Sequence, residues 1–264
     1  MAKGIGLDKR IGPKFLHAGP GYGGSCFPKD TLALVRTATD AGSPVRLIET
    51  TVEINDARKK AMSAKVAKGI GLDKRIGNKF LNAGPGYGGS CFPKDTLALV
   101  RTAREAGAPV ELIETTVKVN DARKKAMAAK VGAALGADLK GKTVGVLGLT
   151  FKPNTDDMRD APSLDIVPAL QAQGAHVQAF DPAGLHEARQ LLRDVDFKDD
   201  PYAAATGADV LVIITEWDQF RALDLDRIKL LMKTPVLVDL RNIYKPDDMR
   251  ARGFAYTSVG RAAV

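Results

Sequence analysis

Residues 141–170 read GKTVGVLGLTFKPNTDDMRDAPSLDIVPAL. The β-branched run Lys142–Leu149 predicts a buried strand, and the stretch Ser163–Gln173 predicts a helix that follows a long loop. Further strands are predicted at His176–Phe180, Asp209–Ile214, Pro235–Asp239 and Ala255–Val259. Strands that alternate with helices are typical of a doubly wound α/β sheet, whose ligands bind beyond the carboxyl ends of the strands.

The turn after the first predicted strand lacks the dinucleotide-binding pattern. Gly145 and Gly148 are spaced GxxG, and the next helix begins only near Pro162 or Ser163. This spacing argues against a dinucleotide site at the turn. Lys152 and the backbone of the long loop are still suited to hold a phosphate.

The sequence before this domain is a near-perfect repeat. Residues 2–66 recur as residues 67–131, with 56 identities in 65 positions and no Gly/Ser or Pro spacer at the join. Old solenoid repeats share only a sparse pattern, so a recent or engineered tandem fusion is the better interpretation. We therefore expect domains at residues 1–66 (copy 1), 67–138 (copy 2) and 139–264.

Each copy is predicted to be all-α, as helix, glycine-rich loop, helix, turn and helix. Pro28 suits a first helical turn, and a second helix is predicted from Pro44. No helix breaker precedes Gly69, so one helix should cross from copy 1 into copy 2. In copy 2 the equivalent helix should end near Gly136. The predicted fold is thus two helical repeats followed by a Rossmann-like α/β domain.

Two differences between the copies invert charge. Arg46 becomes Glu111, and Glu53 becomes Lys118. If the copies pack face to face, these changes would favour pairing of unlike copies. The alternative is that both are solvated surface substitutions.

The amino-acid composition indicates which classes of ligand the protein is expected to bind. A net charge of +8 and a pI near 9.4 favour anionic ligands. The basic residues are not gathered with aromatic ones, which favours a phosphorylated small molecule over nucleic acid. Without a long apolar run or a signal-peptide pattern, we expect a soluble, cytoplasmic protein with no membrane partner. The two cysteines have no CxxC or histidine cluster beside them, so neither a disulfide nor a metal site is expected.

The motif GPGYGGSCFPKD occurs at residues 19–30 and again at 84–95. Its glycines permit close approach of the backbone to a ligand. Its cysteine, Cys26 or Cys91, precedes a predicted helix whose N-terminus favours a thiolate. A nucleophile and an inert core cysteine both fit this pattern. Asp30 and Asp95 either orient a water molecule or only stabilise the helix end.

The stretch KGIGLDKRIGPKFLHAGPGYGGSCFPKD (residues 3–30), its second copy and residues 141–170 together resemble the UDP-glucose/GDP-mannose dehydrogenase family. The resemblance covers essentially the whole chain. It implies oxidation of the C6 alcohol of UDP-glucose to a carboxylate by two hydride transfers to NAD, through a cysteine-bound thiohemiacetal and thioester.

The resemblance also implies site residues. The catalytic ones are Cys91, Asp95, Cys26 and Asp30. Cofactor contacts are expected at Lys94 and Arg159. The substrate-binding residues are expected to be Lys152, Arg241, Arg75, Arg10, Phe80, Leu81, Gly84, Tyr87, Gly88, Phe15, Leu16, Gly19, Tyr22 and Gly23. Cys91 is the preferred nucleophile because copy 2 is contiguous with the domain that carries Lys152.

One family feature is missing from the sequence. Members carry an NAD-binding domain and then a helix with a catalytic lysine and asparagine, whereas no strand–GxGxxG–helix unit occurs here. We therefore expect UDP-sugar binding without turnover, in a homo-oligomer or an intrachain pseudo-dimer. The alternative is an engineered assembly module with a vestigial ligand site.

Overall fold

A computed structural model describes residues 7, 19–74, 77, 81–136 and 138–264. The chain divides into two compact units, Met1–Asn82 and Ala83–Val264. No helix in the described ranges has the length and apolar character needed to cross a membrane.

The first unit contains a pair of helices, α1 (Phe27–Asp40) and α2 (Arg46–Gly71). A proline in its first turn suits the start of α1, because that turn has no intrahelical partner for the missing N–H. Gly42, with φ +68°, follows the end of α1. Helix α2 continues through the join between the copies, which confirms the prediction of one helix across it.

The second unit begins with the matching pair, α3 (Phe92–Glu105) and α4 (Glu111–Leu135). Helix α4 ends at Gly136, whose φ of +64° is a left-handed conformation that glycine adopts without strain. This confirms the predicted helix end. The C-terminal half of α4 buries Met127 and Val131 in the apolar core beside the sheet.

The rest of the second unit is a six-stranded parallel sheet in the order β3-β2-β1-β4-β5-β6. Its strands are β1 (Thr143–Leu147), β2 (His176–Phe180), β3 (Val195–Phe197), β4 (Val210–Ile213), β5 (Val236–Asp239) and β6 (Ala255–Ser258). The helices between them are α5 (Ser163–Ala172), α6 (Leu185–Leu191), α7 (Pro201–Ala205), α8 (Asp218–Arg221), α9 (Leu225–Leu231) and α10 (Pro246–Ala251). The predicted helical region and doubly wound α/β domain are confirmed.

Alternate residues of the strands enter two separate apolar cores. Val144 and Val146 belong to one core, whereas Leu147 and Ile213 belong to the other. Helices therefore cover both faces of the sheet. The strand order reverses at β1 and β4, so the loops after these two strands flank the crevice where such sheets bind ligands.

Candidate functional site

The glycine loop of copy 2 lies tightly against the α/β domain. A Cβ atom added to Gly88 would lie 2.3 Å from the carbonyl oxygen of Asp160, and one added to Gly89 would lie 2.7 Å from the Phe151 ring. The N–H of Gly89 also donates to the carbonyl of Arg159 at 2.8 Å. Glycine is needed here because the loop and the segment after β1 approach backbone to backbone.

The same motif in copy 1 has different surroundings. Among the described residues, no atom lies within 4 Å of a Cβ built on Gly19, Gly23 or Gly24. Gly21 alone is crowded there, by Asn55 and Lys59 of its own copy. The two glycine loops are identical in sequence, so tertiary packing alone distinguishes them.

A buried asparagine holds the backbone of each loop. In copy 2, Asn120 accepts from the N–H of Tyr87 at 2.8 Å and donates to the Tyr87 carbonyl at 3.3 Å. Asn55 holds Tyr22 in the same way in copy 1, at 2.7 and 3.3 Å. Neither asparagine is among the predicted site residues, although a polar residue on the inward face of an amphipathic helix is a signal that could have identified both.

Cys91 is exposed at the residue immediately before α3. Its carbonyl accepts from the N–H of Asp95 at 2.8 Å, so Asp95 lies in the first helical turn. The Ser90 hydroxyl lies 3.5 Å from the Cys91 sulfur. Lys94 and Asp95 are both exposed beside it. An exposed thiol at a helix N-terminus is accessible to an electrophilic ligand carbon.

The copy 1 cysteine has the same local geometry. Cys26 is exposed before α1, and the Ser25 hydroxyl lies 3.7 Å from its sulfur. Asp30 is in the first turn of that helix, and its N–H donates to the Cys26 carbonyl. The helix N-terminus therefore does not distinguish the two thiols.

The loop after β1 carries Lys152, the residue predicted to bind a phosphate. Lys152 is exposed, and its ammonium lies 5.1 Å from the centre of the Phe151 ring. Further along, Arg159 donates to both carboxylate oxygens of Asp157, at 2.9 and 2.7 Å. These hydrogen bonds lower the pKa of Asp157 and raise the pKa of Arg159. Despite this ion pair, 70% of the Arg159 side chain is exposed to solvent.

Arg241 follows β5 and is nearly buried, with 11% of its side chain exposed. It donates to the carbonyls of Ile214 at 2.8 Å and Phe151 at 3.3 Å, and it pairs with Glu216 at 3.0 Å. A Cβ on Gly84 would lie 2.6 Å from one of its terminal nitrogens. Burial lowers the pKa of Arg241, and the nearby Glu216 carboxylate opposes that shift. The arginine thus ties the loops after β1 and β4 to the glycine loop.

Several predicted residues are brought together. The Phe151 ring packs against Gly89, and the Phe151 carbonyl accepts a hydrogen bond from Arg241. Because Phe151 directly precedes Lys152, the glycine loop, Arg241 and the Lys152 loop form one cluster. Leu81 is partly buried in the first unit. The predicted substrate residues that lie outside the described part of the chain are Arg10, Phe15, Leu16, Arg75 and Phe80.

The turn after β1 does not fit the pyrophosphate of NAD. The backbone N–H groups of Leu149 and Thr150 donate to the buried Asp181 carboxylate at 2.6 and 3.1 Å. Trp217 donates to the same oxygen at 3.2 Å. A carboxylate thus occupies the amide donors that a dinucleotide phosphate would need. Among the described residues there is also no group of three His, Cys, Asp or Glu side chains that could hold a metal.

A parallel doubly wound sheet joined to paired helices defines the chain as a Rossmann-like α/β protein with an added helical region. The chain belongs to the UDP-glucose/GDP-mannose dehydrogenase family: the pattern of its UDP binding domain matches residues 145–246, and that of its central domain matches residues 1–57 and 59–122.

Individual relatives support this assignment. The chain is 64% identical over 196 residues to a UDP-glucose 6-dehydrogenase of Rhizobium meliloti, covering 74% of this chain and 45% of the relative. It is 48% identical over 202 residues to UDP-glucose 6-dehydrogenase TuaD of Bacillus subtilis, covering 76% and 44%. The solved UDP-glucose dehydrogenase of Pyrobaculum islandicum aligns with a TM-score of 0.63 and 36% identity, covering 75% and 43%. The chain therefore spans less than half the length of these relatives.

Proposed function

We propose that this chain is a UDP-sugar-binding part of a UDP-glucose 6-dehydrogenase, with UDP-glucose or a related UDP-sugar as its ligand. One observation carries the proposal: the cysteine-bearing glycine loop of copy 2 packs directly on the loop after β1 that carries Lys152. A nucleotide sugar in the crevice would place its phosphates near that loop and its sugar toward the glycine loop. The +8 net charge favours such an anionic ligand.

In this proposal each residue has a defined task. Lys152 binds a phosphate, and Arg241 shapes the sugar end of the site by holding the glycine loop. Cys91 is the nucleophile that would add to C6 of the sugar once hydride transfer to NAD has converted the C6 alcohol to an aldehyde. Asp95 lies one helical turn away, where it can orient a water molecule. Cys91 is preferred to Cys26 because the copy 2 loop belongs to the same compact unit as the α/β domain and makes these close contacts with it.

The parent reaction requires NAD, which accepts hydride when bound. Asp181 occupies the amide donors of the turn after β1, so that turn does not fit its pyrophosphate and no oxidation step is assigned to it. A polypeptide of these 264 residues, assayed alone, should bind the UDP-sugar without reducing NAD. NADH formation by the pure polypeptide would overturn this part of the proposal.

The repeat supports an additional proposal about domains and assembly. We place the boundaries at residues 1–66, 67–138 and 139–264, because the relative from Rhizobium meliloti matches 196 residues and so leaves out a length close to one 65-residue copy. Equivalent apolar side chains are exposed to the same extent in both copies: Leu34 at 48% and Leu99 at 47%, Leu47 at 79% and Leu112 at 78%.

We propose that a copy 1 face pairs with a copy 2 face, since such pairing covers these leucines and joins opposite charges at the inverted positions. A measured solution mass of two chains would support a homo-oligomer, whereas a mass of one chain would exclude it and leave the intrachain pseudo-dimer to be tested. If UDP-glucose does not bind but the assembly is stable, the alternative of an engineered assembly module is favoured.

Calorimetric titration with UDP-glucose tests the binding proposal. Saturable binding is expected for the parent, and Lys152→Ala should weaken it about tenfold to a hundredfold, the usual effect of one charge-assisted hydrogen bond. Lys65→Ala, which removes an equal charge from an exposed position on α2, is the matched control and should bind like the parent. Equal effects of the two variants would refute the role of Lys152.

A further inference from the structure

The buried face of α4 holds the glycine loop through two side chains one helical turn apart. Asn120 exchanges two hydrogen bonds with the Tyr87 backbone. Lys124 is the second, and a Cβ on Gly86 would lie 2.8 Å from its Cγ and 2.9 Å from the Asn120 amide oxygen. The glycine at position 86 therefore lets the loop backbone rest directly on both side chains.

Lys124 also contacts the segment after β1 on which the glycine loop packs. Only 7% of its side chain is exposed, and its ammonium donates to the Asp160 carbonyl at 3.0 Å and pairs with Asp165 at 3.3 Å. The Asp160 carbonyl is the same atom that a Cβ on Gly88 would meet. A buried ammonium is tolerated only when it is paired and hydrogen-bonded, so this position is strongly fixed.

Copy 1 contains the same two residues, Asn55 and Lys59, at the equivalent positions of α2. Asn55 makes the same backbone clamp, on Tyr22. Lys59, the counterpart of Lys124, is exposed, and its ammonium lies 5.8 Å from the centre of the Tyr22 ring. The sequence NDARKK is identical in both copies. The contact of Lys124 with Asp160 in copy 2 therefore comes from tertiary packing and not from a difference in this sequence.

We propose that Asn120 and Lys124 are positioning residues that fix the Cys91 loop against the segment around Asp160, and so determine how the site receives the sugar part of its ligand. The inference rests on the proposed function. Asn120 acts through Tyr87, whose ring packs edge-on against Phe92 with centroids 4.8 Å apart, and Phe92 is the residue after Cys91. Neither residue is assigned a contact with the UDP part.

The test compares UDP-glucose with UDP as calorimetric ligands. Asn120→Ala and Lys124→Met should each weaken UDP-glucose binding about tenfold and leave the dissociation constant of UDP within about twofold, because the loop contributes to the sugar end alone. The matched controls Asn55→Ala and Lys59→Met, made in copy 1, should change neither constant. Equal losses for UDP and UDP-glucose, or no loss for either, would overturn the inference.

A second measurement separates this inference from the proposed function. In a Cys26→Ser background, the rate of Cys91 alkylation by iodoacetamide reports the loop conformation without any ligand. Both copy 2 variants should change this rate at least threefold, whereas the copy 1 controls should not. If the parent fails to bind UDP-glucose but the alkylation rates change in this way, the proposed function fails and the positioning role stands. Unchanged rates refute the positioning role.

Discussion

Adding one methyl group at Gly88 tests whether copy 2 is docked on the α/β domain. In Gly88→Ala the new Cβ would lie 2.3 Å from the Asp160 carbonyl oxygen, 2.9 Å from its carbon and 3.2 Å from the Cα of Ala161. A carbon–oxygen contact normally needs about 3.3 Å, so the backbones must separate by about 1 Å. These neighbours are backbone atoms and cannot rotate away.

The cost follows from how firmly that backbone is held. The Asp160 carbonyl accepts from Lys124, and the preceding carbonyl, of Arg159, accepts from Gly89. Overpacking of a fixed site costs about 1–3 kcal/mol. Gly88→Ala should lower the free energy of unfolding by this amount, and the displaced loop should weaken UDP-glucose binding as well.

Copy 1 supplies the control. Gly23 is the equivalent glycine, no described atom lies within 4 Å of its Cβ position, and neither glycine has a positive φ. Gly23→Ala should therefore be neutral, or stabilising by up to about 1 kcal/mol, because alanine restricts the unfolded chain.

Urea unfolding measures both variants. Fluorescence of Trp217, the one tryptophan of the sequence, follows the second unit, and far-UV circular dichroism follows all helices. Tight docking of the copy 2 loop on the α/β domain is refuted if Gly88→Ala unfolds within about 0.5 kcal/mol of the parent, or if Gly23→Ala is equally destabilising.

Two further predictions concern buried carboxylates of the α/β domain. Asp181→Ala leaves several buried N–H groups without an acceptor and should cost about 3 kcal/mol or more in urea unfolding; a loss below about 1 kcal/mol would contradict the assigned network. Burial alone would raise the pKa of Asp209, but hydrogen bonds from the Thr143 N–H, Lys233 and Lys142 lower it. A lowered folded-state pKa stabilises the protein above the unfolded value of about 4, and this stability is lost as the pH falls through the folded value. Between pH 7 and pH 3 the melting temperature of the parent should thus fall more than that of Asp209→Asn, and parallel curves would argue against this role.

Much of the fold follows from local sequence patterns. Buried parallel strands such as Val210–Ile213 are continuous apolar runs bounded by turns, and the sequence predicts each of them within a few residues. The exception is β3, Val195–Phe197, which has only three residues with an exposed aspartate at its centre. So short an edge strand is defined by its pairing with β2 and has no periodicity of its own.

The site is less accessible to sequence reasoning. Pattern and family resemblance identify the cysteine loop, Lys152 and Arg241 as candidates. They do not show that Arg241 is buried between Glu216 and the glycine loop, because that depends on contacts between residues far apart in sequence. Lys124 was missed for a related reason, since a lysine in an amphipathic helix is normally solvent-exposed.

The duplicated motif marks the limit of what sequence can assign. Cys26 and Cys91 lie in the same twelve-residue motif, with the same helix start and the same asparagine clamp. The motif alone therefore predicts the same reactivity for both thiols. The difference arises from the residues packed on the loop: Phe151, Asp160 and Arg241 crowd the copy 2 glycines, and copy 1 has open space at the equivalent positions among the described residues. A functional assignment between identical segments therefore depends on their tertiary neighbours, and variants made in matched pairs across the two copies isolate that contribution because their local sequence effects cancel.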